Sequence, residues 1–138
     1  MAKYIPMLLM TGLITVSVSS SACVNVQPDM VENIASGLSI GGGGTLVKTS
    51  ARAIKSNDFK NIYFIAAEIQ GQGMESKGEI GLWASNSIEA GKGMLLSVNS
   101  LAIEFSVWPN GKKSQARLSQ FDHGGQEAIN CVKKAQDA

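Results

Sequence analysis

The sequence predicts one small α+β domain, an antiparallel sheet of about four strands covered by two short helices, following a signal peptide. Three observations predict it. Apolar residues alternate with period two through much of residues 61–98. The period lengthens to helical spacing at Leu101, Phe105 and Trp108, and again over 128–135. The chain opens on Lys3, an apolar run over 5–18, and Ser20-Ser21-Ala22 directly before Cys23.

The apolar run is interrupted by Pro6 and Gly12 and is shorter than the about 20 residues a membrane span needs. Small side chains at Ser20 and Ala22 suit a signal peptidase. Residues 1–22 therefore read as a signal peptide, and the mature protein is expected in the periplasm or cell envelope. Cys23 then has two fates. The segment from Ser20 to Cys23 resembles the acceptor site of bacterial lipoproteins, with Ser20 where those proteins usually carry Leu. That resemblance implies lipidation of Cys23, a membrane contact through that lipid alone, and a lone thiol at Cys131. The even cysteine count instead implies a Cys23–Cys131 disulfide in an oxidising compartment. Closing a loop of about 100 residues would stabilise the fold by roughly 4.7 kcal/mol through loop entropy. The sequence leaves both fates open.

Cleavage after Ala22 leaves residues 23–138, enough for one domain with one core. Lys3 is the one of 12 Lys and Arg that lies in the leader, so 11 remain against 11 Asp and Glu and the mature chain is formally neutral. Lys112-Lys113 and Lys133-Lys134 are isolated doublets. No basic face forms, and nucleic acid is not an expected partner.

Residues 23–44 read as a leader and tether, and 45–138 as the domain. Within the leader, Met30, Val31 and Ile34 have the spacing of one or two helical turns capped by Asp29. The four glycines at 41–44 are followed by Thr45-Leu46-Val47, which is neither a phosphate loop nor a dinucleotide fingerprint, and read as a joint. Strands are expected at 51–55, 61–70, 79–85 and 93–98, the last three forming a meander. In the strongest, Tyr63, Ile65, Ala67 and Ile69 line one face and Ile62, Phe64 and Ala66 the other, as in a strand central to its sheet. A helix near 100–108 takes Ser100 as its cap and ends before Pro109-Asn110-Gly111. Residues 113–119 read as edge strand or loop. A final helix near 123–135 takes Asp122 as its cap and carries Cys131 beside its apolar face.

No constellation of catalytic residues, metal ligands or cofactor-binding loop stands out, and no cofactor is expected. His123 is the one histidine, and a dyad with Cys131 two helical turns away is too long for a hydrogen bond. Glu75 and Glu79 flank a turn, with Glu68 across from Glu79 in one hairpin register. Trp83 and Trp108 are candidate partner contacts, because aromatic residues anchor interfaces, although core filling is the commoner role. The segments Gly81-Leu82-Trp83-Ala84-Ser85-Asn86 and Trp108-Pro109-Asn110-Gly111 resemble motifs of small exported bacterial domains of uncharacterised function. That resemblance implies an exported, compact α+β domain and carries over no functional residue. The expected function is a non-enzymatic binding or interaction module of the cell envelope, its partner a protein or other envelope component. The alternatives are a structural, self-associating envelope protein and, behind it, a small extracytoplasmic hydrolase using His123 or the glutamates.

Overall fold

The structure, a computed structural model, describes residues 22–39, 44–71 and 79–137. The leader over 1–21 and three of the four glycines at 41–44 lie outside the described residues, as does Glu75. The elements in chain order are β1 (Val24–Asn25), α1 (Pro28–Ala35), β2 (Gly44–Leu46), β3 (Arg52–Lys55), β4 (Tyr63–Gly71), β5 (Ile80–Ser85), β6 (Leu95–Ser97), α2 (Ser100–Phe105) and α3 (Gly125–Gln136). A short 3₁₀ turn, Gly111–Lys113, lies between the last two helices.

The α+β expectation holds: the sheet is antiparallel, in the order β1-β3-β4-β5-β6, with β2 also paired to β4. The four expected strands all form, and β1 and β2 bring the total to six among the described residues. β4 is the longest and carries three neighbours. The Ile69 amide donates to the Glu79 carbonyl, and the Val47 amide donates to the Glu68 carbonyl. Successive residues of a strand aim these groups at opposite edges, so β2 continues the edge of β4 that β3 occupies.

Alternation along β4 divides the interior into two cores. Ile65, Ala67 and Ile69 face one core with Ala53, Trp83 and Leu95, covered by Met30, Val31 and Ile34 of α1 and Ala102 of α2. Phe64 and Ala66 face the other with Ile54, Leu82, Ala84 and Val98, covered by Ala128, Ile129 and Val132 of α3. The sheet is thus sandwiched between helices, which explains why β4 is apolar on both faces.

The leader expectation is corrected by this arrangement. Met30 and Ile34 are fully buried, and Val31 is 1% exposed, so α1 is a wall of the first core and not a tether. Its helix starts on Pro28, whose fixed φ and missing N–H suit a first turn. Asp29 sits in that first turn, and the residue ahead of the helix, Gln27, makes no side-chain cap.

Three other boundaries shift. Asn99, not Ser100, caps α2: its Oδ1 accepts from the amides of Ala102 and Leu82, and its Nδ2 donates to the Ile80 carbonyl. One side chain thereby closes the helix start and ties it to β5. α2 ends at Phe105, before Trp108. α3 is capped at Gly124, with φ of 101°, whose amide donates to Glu127; Asp122 instead accepts from the Ser119 amide. Residues 113–119 form no strand, and Leu118 seats fully buried in the second core.

If α1 is part of the core, Ile34→Ala should lower stability by about 2–5 kcal/mol in urea unfolding, as expected for a deletion inside a packed interior. A tether position would tolerate the change within about 0.5 kcal/mol.

Candidate functional site

Two of the sequence candidates, Trp83 and Trp108, turn out to be joined by one polar network. Trp83 is fully buried, so of the two roles the sequence left it, core filling is the one it takes. A buried indole needs an acceptor, and Ser106 supplies it: Trp83 Nε1 donates to Ser106 Oγ at 3.1 Å. Ser106 Oγ lies 2.6 Å from the Ala102 carbonyl and 2.9 Å from Ser97 Oγ, which donates to the Trp108 carbonyl at 2.9 Å. The Trp108 ring is half-buried, and its Nε1 donates to the Ile34 carbonyl at the end of α1. Close approach there requires Gly37, since a Cβ on it would fall 2.6 Å from the indole. The two motif segments therefore meet, and what they build is a clamp from β5 through α2 to α1.

The acid–base candidates do not converge. Glu68 pairs directly with Ile80, so Glu79 lies one position on and, by alternation, points to the opposite face. Glu68 accepts from Gln136 of α3 at 2.7 Å. His123 precedes α3 and is not in its first turn. Its amide donates to Asp58 at 2.6 Å and its Nδ1 accepts from the Asn57 amide at 2.9 Å, joining the β3–β4 turn to the approach of α3. Cys131 is 7% exposed on α3, and its sulfur lies at disulfide distance from that of Cys23, with the Cα atoms 6.1 Å apart. A cysteine in that bond has no thiol to lipidate, and no described cysteine is free. Among the described residues no helix is long and apolar enough to cross a membrane, and no three acidic, histidine or cysteine side chains gather as metal ligands.

A concave surface that the sequence did not single out lies between the start of α1 and the turn after β5. This groove has a volume of about 400 Å³. Val24, Asn25 and Asp29 form one wall, and Ile88, Glu89 and Ala90 the other. β1 is the terminal strand on that side of the sheet, and Val24 is 38% exposed. Both charged groups of the groove are carboxylates. Glu89 also pairs with Lys92 at 3.2 Å, but both side chains are about 70% exposed, and such surface pairs contribute little. Sequence spacing could not reveal the groove, because its walls are about 60 residues apart in the chain.

A scan against protein-family models finds no match, and neither the curated proteins nor the solved structures yield one.

Two substitutions test the clamp. Ser106→Ala should cost about 1–3 kcal/mol by stranding the Trp83 N–H. Gly37→Ala should cost about 1–3 kcal/mol by overpacking against Trp108. Thermal unfolding followed by tryptophan fluorescence measures both.

Proposed function

We propose that this protein is a non-enzymatic, extracytoplasmic binding module, and that its groove takes an extended segment of a partner protein carrying Lys or Arg. The observation that carries this reading is the groove itself: Val24 and Asn25 of the terminal strand β1 face Ile88 across it, with Asp29 and Glu89 lining it. A terminal strand can accept main-chain hydrogen bonds from an added strand, and side-chain pockets then set specificity. Two carboxylates favour a cationic side chain and disfavour an acidic one. The cysteine pair supports an oxidising compartment, in keeping with export behind the leader at 1–22.

The probe is a pair of labelled hexapeptides with the same alternating apolar positions, one carrying Lys and the other Glu between them, titrated by fluorescence anisotropy. The Lys peptide should bind, the Glu peptide should not, and Asp29→Asn with Glu89→Gln should weaken the Lys peptide about tenfold, equivalent to about 1.4 kcal/mol. Equal binding of the two peptides, or no response to the paired substitution, rejects the reading.

Self-association is the second reading. Phe121 is 81% exposed and Val107 67%, the two most exposed large apolar side chains of the described residues. Sedimentation at micromolar concentration, with Phe121→Ser as the comparison, decides it: a dimer that the substitution dissociates supports self-association.

A further inference from the structure

The bond between Cys23 and Cys131 does not lie in a sealed interior. A second cavity, of about 240 Å³, opens beside it, lined by both cysteines together with Ile54, Glu127, Asn130 and Lys134. The two cysteines are unequally placed: Cys23 is an exposed residue just ahead of β1, whereas Cys131 is 7% exposed on α3. Lys134 follows Cys131 by three residues, on the same side of the helix, and lines the same cavity.

We propose that this disulfide is a thiol–disulfide exchange site, opened by a small dithiol that attacks the Cys23 sulfur from the cavity, and that opening releases β1 from the edge of β3. In the first step the attacking thiolate forms a mixed disulfide with Cys23, and the Cys23–Cys131 bond breaks with its electron pair on Cys131. Lys134 lines the same cavity, and an ammonium there favours departure of that thiolate. In the second step the other thiol of the dithiol attacks the mixed disulfide and frees Cys23. The dithiol ends oxidised to its disulfide, and the protein holds two thiols after taking up the two protons the dithiol lost.

What opens is local. β1 holds two residues, both exposed, paired as Val24 to Ala53 and Asn25 to Arg52. Immediately beyond it the chain is held by buried Val26 and by Met30, Val31 and Ile34 in the first core. Loss of the disulfide therefore uncovers the Arg52–Ala53 edge while both cores stay assembled. The exchange chemistry stands independently of the peptide-binding reading, although Val24 and Asn25 also belong to the groove wall.

The test uses the full chain with its disulfide formed, without denaturant. Dithiothreitol should make both cysteines alkylatable while the near-ultraviolet dichroism of buried Trp83 persists. Hydrogen exchange should then speed at Ala53, whose amide faces β1, and stay slow at Arg52, whose amide faces β4, and at Ile65 and Leu82. Glutathione, with the released Cys131 thiol alkylated as it forms so that it cannot reclose the bond, should be mapped by peptide mass to Cys23. Lys134→Gln should slow the first step several-fold and leave the melting of the oxidised protein unchanged. Cys23→Ser, with no reductant, should reproduce the fast exchange at Ala53. Thiols that emerge only as the Trp83 signal is lost, glutathione found on Cys131, or unchanged exchange at Ala53 would each overturn the proposal.

Discussion

The constraint on which the rest of the structure depends is the double-faced apolar character of β4. Phe64 and Ala66 on one side, and Ile65, Ala67 and Ile69 on the other, are all at most 1% exposed. A strand with two such faces cannot border solvent on either, so the sheet must be covered twice. α3 provides one cover. The other is assembled from α1 and α2, each too short to do it alone. The segment ahead of the glycine run is thereby drawn into the fold: without Met30, Val31 and Ile34 the first core would open to water.

The second cover raises a polar problem, and the tryptophans show how it is met. Trp83 fills the first core and brings an N–H with it, which Ser106 and Ser97 accommodate without leaving the backbone carbonyls at Ala102 and Trp108 unpaired. Trp108 ties the same region to the end of α1. Residues that looked like interface anchors are thus committed to holding α2 and α1 on the sheet. What remains for recognition lies at the periphery: the terminal strand β1, the start of α1 and the turn over 86–94. Concave surface of this kind, built from distant loops on a fixed scaffold, is where binding commonly resides.

The cysteine pair links that periphery to the opposite layer. Cys23 precedes the edge strand and Cys131 lies on the helix that covers the second core, so one bond joins the segment ahead of β1 to α3. It competes directly with the lipoprotein reading of Cys23, because a sulfur cannot be both in a disulfide and in a thioether to lipid. It also leaves β1, with two residues, dependent on a bond that the second cavity exposes.

What the sequence by itself determined was local periodicity and its consequences. The meander from β4 to β6, the two faces of β4, and helices beginning near 100 and ending near 135 were legible because side-chain alternation is fixed by the backbone repeat, whatever lies opposite. Caps were legible only to within a residue or two. Ser100 and Asp122 are good capping residues, but Asn99 caps α2 because it also serves backbone groups of β5, and position 124 takes glycine because its φ is 101° and Phe64 crowds a Cβ there. Only the tertiary structure decided that α1 is core, since Met30, Val31 and Ile34 show a helical face without saying what it covers. Only it turned Glu68 and Glu79 to opposite faces, because a one-residue change of register reverses a side chain. The groove and the exposed disulfide belong to the same class. Each is made by residues far apart in the chain, and their meeting is set by how two cores close around one strand.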